Sequence, residues 1–126
     1  MAMRTPLKTA RNLGSAKEGA DHFWKQRVTG VANVFLGLFL VWLIASLTGA
    51  DHATVKAKLA NPFIALALLA LVISGTLHMR LGMQTIIEDY VHGEGSKVVC
   101  LMLNTFFAAF IALATTFAVL KISFGA

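Results

Sequence analysis

Three long stretches without a charged side chain constrain this sequence more than any other feature. They run from Val28 to Ala50, from Leu59 to Met79 and from Val98 to Leu120, with 23, 21 and 23 residues, and all 11 basic and 6 acidic residues lie outside them. An α-helix rises about 1.5 Å per residue, so each stretch can cross the roughly 30 Å hydrocarbon core of a bilayer. The sequence therefore predicts an all-α membrane protein with three transmembrane helices.

The composition excludes several other classes of protein. Only 13% of the residues are charged and 57% are apolar, whereas a soluble globular chain has roughly 25% charged residues. A soluble enzyme and a disordered chain are therefore both excluded. Cys100 is the only cysteine, so the chain has no internal disulfide and no CxxC or CxxCH motif for a metal or a covalently attached haem.

The distribution of basic residues predicts the orientation. The first 27 residues contain two acids, Glu18 and Asp21, and six basic residues, at positions 4, 8, 11, 17, 25 and 27. By the positive-inside rule the N-terminus is cytoplasmic and the three helices run up, down and up. The net charge of +5 is then explained by the orientation in the membrane rather than by binding to nucleic acid. We therefore expect no nucleic-acid partner. Because residues 1–14 carry basic residues and no acid, as a transit peptide does, an organellar origin stays open.

Helix signals refine the bounds of the spans. Asn61 followed by Pro62 is a typical start, because Asn caps free N–H groups and Pro suits the first helical position. Helix-forming residues continue past Arg80 to Tyr90, and Gly93 is the first strong helix breaker. We therefore predict one membrane domain over residues 1–126, with a basic N-terminal segment at 1–27, a loop at 51–58 and transmembrane helices at about 28–50, 60–90 and 97–121.

His78 is the only one of four histidines within an uncharged stretch. An ionisable residue in a membrane is costly and is read by default as functional. Ser74, Gly75 and Gly82 share its helical face, and such small residues admit either another helix or a flat cofactor such as haem. A histidine hydrogen-bonded across helices is the plain alternative. If haem with two histidine ligands is bound, the second imidazole must come from another chain or a second copy.

Four charged or phenolic residues outside the uncharged stretches are further candidates. Tyr90 is typical of an interfacial aromatic, but its phenol could also donate a hydrogen bond to a quinone carbonyl. Asp89 is a solvated acid or a group that orients the quinone and relays protons. Arg27 and Arg80 are ordinary helix-end charges or partners of haem propionates.

Two segments carry a resemblance to a known family. The motif His78-x3-Gly82-x6-Asp89-Tyr90, within HMRLGMQTIIEDYVHGEGSK, and the segment SAKEGADHFWKQRVTG, which begins at Ser15, resemble the hydrophobic membrane anchor subunits of succinate dehydrogenase. The segment from His78 to Lys97, in which Val-His follows Asp-Tyr, resembles the alphaproteobacterial and mitochondrial-like branch, and the resemblance to the family covers nearly the whole chain.

The resemblance implies a role for each candidate. His78 would be one axial ligand of a haem b, with the other supplied by the cytochrome b556 subunit. Tyr90 would hydrogen-bond ubiquinone with support from Asp89. Arg27 matches a basic position near the haem propionates, whereas Arg80 stands where some relatives have Trp.

The same resemblance implies the partners and the location. A flavoprotein subunit would oxidise succinate and an iron–sulfur subunit would carry the electrons, so this chain would hold no succinate-oxidising or covalent chemistry. The complex would lie in the cell inner membrane, or in the mitochondrial inner membrane if organellar, with membrane lipid around the basic N-terminal segment. Two rivals stay open: the anchor of a fumarate reductase, and a small transport or structural membrane subunit without haem.

Overall fold

The computed structural model describes residues 5–7 and 18–125 and contains three long helices and one short helix in that part. They are α1 (Glu18–Ser46), α2 (His52–Leu59), α3 (Pro62–Tyr90) and α4 (Glu94–Ser123). The described residues include no strand, and α1, α3 and α4 are each long and apolar enough to span a membrane. The predicted all-α fold with three transmembrane helices is confirmed.

α1 starts ten residues before the first uncharged stretch. The polar residues ahead of Val28 continue the helix, and Lys25 Nζ lies 2.5 Å from Asp21 Oδ2 one turn away. The helix ends at Ser46, and the chain then turns through Gly49, which has a φ of 76°. Of the predicted basic segment 1–27, residues 1–4 and 8–17 lie outside the described residues, and residues 18–27 belong to α1.

α2 occupies the segment predicted as a loop at 51–58, so that part of the prediction was wrong. Asp51 caps the helix, because its Oδ1 accepts a hydrogen bond from Thr54 N at 2.9 Å. Hydrogen bonds from the Thr54 side chain and backbone hold the pKa of the Asp51 carboxyl below its ordinary 3.8. The signal in the sequence was an aspartate followed by a run of helix-forming residues.

α3 begins two residues after the predicted start at about 60 and ends at Tyr90, as predicted. Asn61 caps it, accepting a hydrogen bond from Phe63 N at 2.9 Å, with Pro62 at the first helical position. The helix continues to Tyr90 and is about 43 Å long. We call the two ends of the bundle the Tyr90 end and the Pro62 end.

α3 lies between α1 and α4 and packs against both, whereas α1 and α4 do not contact each other in the described part of the chain. Residues in the second half of α3, such as Gly82 and Arg80, lie beside residues in the first halves of α1 and α4, such as Gln26 and Asn104. Neighbouring helices are therefore antiparallel, as predicted. Few side chains are buried, and the long apolar ones mostly face outward. Lipid can therefore cover the outside of the bundle, and the two crevices beside α3 stay open to ligands or partner chains.

A hydrogen bond from the Asn104 side chain helps to fasten α4 to α3. Asn104, which is buried, donates from Nδ2 to the carbonyl oxygen of Arg80 at 2.9 Å. We expect Asn104→Ala to lower the free energy of unfolding by about 0.6 kcal/mol and at most about 1.7 kcal/mol, the range for interhelical hydrogen bonds in membranes. Unfolding by SDS titration in mixed micelles measures this. Thr115→Ala is the control, since the exposed Thr115 hydroxyl bonds only within α4, and an equal loss there would contradict the prediction.

Candidate functional site

An open groove runs along one side of the crevice between α1 and α3, and His78 lies in its wall. We call it the His78 groove. Its volume is about 570 Å³, within the roughly 300–1,000 Å³ typical of small-molecule sites. It is lined by Gly19, His22, Phe23, Gln26, Arg27, Gly30, Val31 and Val34 of α1 and by His78 and Thr85 of α3.

The imidazole of His78 is held at one edge. Its Nδ1 lies 3.1 Å from Oγ1 of Thr29 on α1, and Thr29 is 9% exposed. One turn earlier on α3, Ser74 Oγ donates to the carbonyl oxygen of Thr29 at 3.2 Å. The Nε2 atom of His78 has no hydrogen-bond partner among the described residues. The ring therefore stands with one nitrogen fixed and the other available to a ligand in the groove.

Two glycines let the helices approach closely at this level. A Cβ atom on Gly30 would lie 3.4 Å from His78 Cε1, and one on Gly82 would lie 3.3 Å from Gln26 Nε2. A side chain longer than that of alanine at Gly30 would meet the imidazole or extend into the groove. Gly82 was predicted from the sequence as a small neighbour of His78, whereas Gly30 was not.

Buried polar atoms in the groove wall have no partner in the described part of the chain. They are Nε2 of His22 and Oε1 of Gln26, and both residues line the groove. A buried polar atom without a hydrogen bond is costly. The groove is therefore suited to receive a further polar group that this chain does not supply.

Sequence reasoning missed these α1 residues because it started the first helix at residue 28. Once α1 is extended back to Glu18, His22, Gln26 and Thr29 stand at i, i+4 and i+7 on one helical face. That spacing was the signal that could have identified them. A second opening of about 290 Å³, lined by Gly19, His22, Gln84, Thr85 and Glu88, continues the groove toward the Tyr90 end.

The two candidate arginines lie on opposite sides of α3. Arg27 lines the His78 groove, and its guanidinium carbon lies 5.1 Å from the centre of the Phe23 ring. Arg80 faces α4, where its Nε donates to Thr105 Oγ1 at 3.4 Å. Residues two positions apart on a helix point in directions that differ by about 200° around its axis. Arg80 therefore lies away from the face of His78. The structure thus brings Arg27, but not Arg80, into the groove.

Asp89 and Tyr90 form the C-terminal end of α3. Tyr90 is 77% exposed and Asp89 is also exposed, and neither side chain has a hydrogen-bond partner among the described residues. Asp89 is eleven residues from His78, which is about three helical turns and about 16 Å along the same face. The neighbouring Glu88 is already engaged, because its Oε1 accepts from Gln84 Nε2 at 2.8 Å.

The fold and the groove define the class of this chain, a multi-pass α-helical membrane protein with an imidazole in an open interhelical groove. Residues 1–120 match the sequence profile of the succinate dehydrogenase/fumarate reductase transmembrane subunits. The chain belongs to this family.

Individual relatives agree with the family. The chain is 31% identical to the succinate dehydrogenase hydrophobic membrane anchor subunit of Paracoccus denitrificans over 97% of this chain and 94% of the relative. It is 42% identical to that of Rickettsia conorii over 70% and 71% of the two chains. It is 34% identical to the membrane anchor subunit of Reclinomonas americana over 69% and 75%. The resemblance inferred from the sequence motifs is confirmed, and these relatives support a membrane anchor subunit of succinate dehydrogenase.

Proposed function

We propose that this chain anchors a succinate:quinone oxidoreductase in the cell inner membrane and shares a haem b and a ubiquinone-reduction site with a partner cytochrome b subunit. A flavoprotein subunit and an iron–sulfur subunit complete the complex. The observation that carries the proposal is His78, whose Nδ1 edge is held by Thr29 while Nε2 has no partner in the described part of the chain. The family and its named relatives support the role of an anchor.

The residues of the His78 groove fit a haem. An imidazole nitrogen is a standard axial ligand of haem iron, and Gly30 leaves room beside the ring. Arg27 supplies a positive charge on the same groove for a propionate. Arg80 faces α4, so the geometry favours Arg27 for that role. When bound, the haem would supply a one-electron redox centre, and His78 would hold it together with a ligand from the cytochrome subunit.

Tyr90 and Asp89 are the proposed contribution to the quinone site. Ubiquinone takes up two electrons and two protons to become ubiquinol, and the two electrons come from succinate, which is oxidised to fumarate on the flavoprotein. The Tyr90 hydroxyl donates a hydrogen bond to a quinone carbonyl, and the Asp89 carboxylate orients the ring or passes a proton. Both side chains are exposed and lack partners in the described residues, as groups that await a ligand from the bilayer would.

The family and its named relatives bear differently on the two rival functions. The family description includes fumarate reductases, and the same residues would serve quinol oxidation in that direction. The relatives in Paracoccus and Rickettsia are named for succinate dehydrogenase, which favours succinate oxidation. Membership of this family argues against a small transport subunit with His78 and Arg80 along an ion path.

The composition of the purified complex tests the proposal. We expect a tagged copy of this chain, gently solubilised from its native membrane, to co-purify with a flavin-containing, an iron–sulfur and a second membrane polypeptide. A reduced-minus-oxidised visible spectrum should show a b-type haem band. Membranes from cells without the tagged copy are the control. Purification of the chain without the soluble subunits, or with them but without haem, would contradict the respective part of the proposal.

A further inference from the structure

We infer that Thr29 is a positioning residue that fixes the tautomer of His78 and so selects Nε2 as the nitrogen that binds iron. The inference rests on the proposed haem function. It assigns to α1 a role in the haem site that neither the His78 motif nor the family description contains.

The hydroxyl of Thr29 has a single proton, and it donates that proton in a hydrogen bond to a backbone carbonyl oxygen. Thr29 Oγ1 lies 2.6 Å from the carbonyl oxygen of Lys25, one turn earlier on α1, and 3.2 Å from that of Gln26. A carbonyl oxygen can only accept, so Thr29 must be the donor in this contact. The distance of 2.6 Å is at the short end for O–H···O hydrogen bonds. The proton of Thr29 is therefore committed to its own helix.

The contact between Thr29 and His78 must then run in the opposite direction. Thr29 Oγ1 lies 3.1 Å from His78 Nδ1, and the oxygen has only lone pairs left to offer. His78 Nδ1 therefore carries the hydrogen and donates it to Thr29. A neutral imidazole with hydrogen on Nδ1 has its free lone pair on Nε2. Nε2 is thus the nitrogen that can coordinate iron.

The position of Thr29 is itself well determined. The residue is 9% exposed, and Ser74, which is also buried, donates to its carbonyl oxygen from α3 at 3.2 Å. Thr29 and Ser74 thus tie α1 to α3 directly beside the imidazole. The adjacent Gly30 lets the Cε1 edge of the ring approach the backbone of α1. The acceptor for Nδ1–H is therefore held on a helix rather than on a mobile loop.

The hydrogen bond has a consequence for the haem as well as for the ring orientation. A ligating histidine that donates its other N–H becomes a more basic ligand, and such partners tune the metal. Here the acceptor hydroxyl donates onward to Lys25 O, and linked hydrogen bonds strengthen one another. A more basic ligand stabilises ferric over ferrous iron. Thr29 is therefore expected to lower the midpoint potential of the haem.

The test replaces the hydroxyl in the intact complex. Thr29→Val has nearly the same shape as threonine but offers no hydrogen-bond acceptor. Thr29→Ala also removes the hydroxyl but changes the packing, and Thr29→Ser keeps the hydroxyl. Thr76→Val is the matched control. Thr76 Oγ1 also donates to a carbonyl one turn earlier, Val72 O at 2.6 Å, but the residue lines the crevice on the α4 side of α3.

The readouts are the haem-to-flavin ratio, the midpoint potential and the low-spin ferric electron paramagnetic resonance signal. We expect Thr29→Val and Thr29→Ala to weaken haem retention by roughly 10- to 100-fold in affinity, as for other partners of ligating histidines. We also expect the midpoint potential to rise and the ferric signal to shift. A tenfold loss confined to the ferric state corresponds to about 59 mV for a one-electron couple. Thr29→Ser and Thr76→Val should resemble the wild type.

The possible outcomes separate this inference from the proposed function. If His78→Ala removes the haem band but Thr29→Val and Thr29→Ala keep the wild-type potential, retention and signal, Thr29 has no positioning role and the proposed function stands. If Thr29→Ser, which keeps the hydroxyl, shifts the potential as far as Thr29→Val, the shift does not depend on the hydroxyl, and the inference also fails. If His78→Ala keeps the haem band, the proposed ligand itself is wrong.

Discussion

Replacement of His78 by alanine is expected to remove the b-type haem band from the assembled complex or to reduce it at least about tenfold. The side chain supplies the only imidazole within an uncharged stretch of this chain, and its Nε2 has no competing partner in the described residues. Without it, the haem would keep only the ligand from the partner subunit and contacts of its edge and propionates. The reduced-minus-oxidised spectrum, normalised to flavin, measures the loss.

His92→Ala is the matched control for that experiment. His92 is exposed in the short connection between α3 and α4, so its removal deletes an imidazole without touching the groove and should leave the haem content unchanged. Normalising to flavin separates lost haem from lost complex. An unchanged band in an assembled His78→Ala complex would remove His78 as a ligand.

The three membrane spans could be predicted because the hydrocarbon core of a bilayer excludes charged side chains. A charged side chain in the hydrocarbon core is costly, so the gaps between charges mark the spans before any contact is known. The bounds of α3, Pro62–Tyr90, lie within two residues of the predicted 60–90, since Asn61 and Pro62 mark its start and the next strong breaker follows Tyr90. The start of α1 differed, because a helix can continue beyond the bilayer. Lys25 and Asp21 lie before the apolar stretch, but they belong to the helix and form an ion pair along it.

Only part of the site could be predicted from the sequence. His78 stands out as a lone imidazole in an apolar stretch, but Thr29 is one of several threonines in the spans and becomes notable only through its distance to Nδ1. Helical periodicity alone could have excluded Arg80 from the face of His78. Arg80 is about 200° from His78 on α3, whereas the placement of Arg27 beside the groove depends on how α1 packs against α3.

Tyr90→Phe is expected to lower succinate:ubiquinone reductase activity by roughly 100-fold or more while leaving succinate oxidation by an artificial acceptor intact. Negative charge develops on the quinone oxygens as they are reduced. A donor aimed at such an oxygen contributes roughly that factor in other enzymes. Phenylalanine keeps the aromatic ring at the membrane surface and removes only the hydroxyl. Steady-state assays of both activities on the same purified complex measure the difference.

The control for Tyr90→Phe must be another exposed aromatic at the same end of the bundle. Trp24, which is 65% exposed and packs edge-on against Phe23, meets that requirement, and Trp24→Phe should leave both activities unchanged. Asp89→Asn should also impair quinone reduction selectively, because it removes the carboxylate proposed to orient the ring or pass a proton. In the proposed complex, flavin and iron–sulfur chemistry would lie upstream of Tyr90, so only a defect at the quinone would separate the two assays. An equal loss of both activities in Tyr90→Phe would instead indicate damage to assembly and would contradict the assigned role.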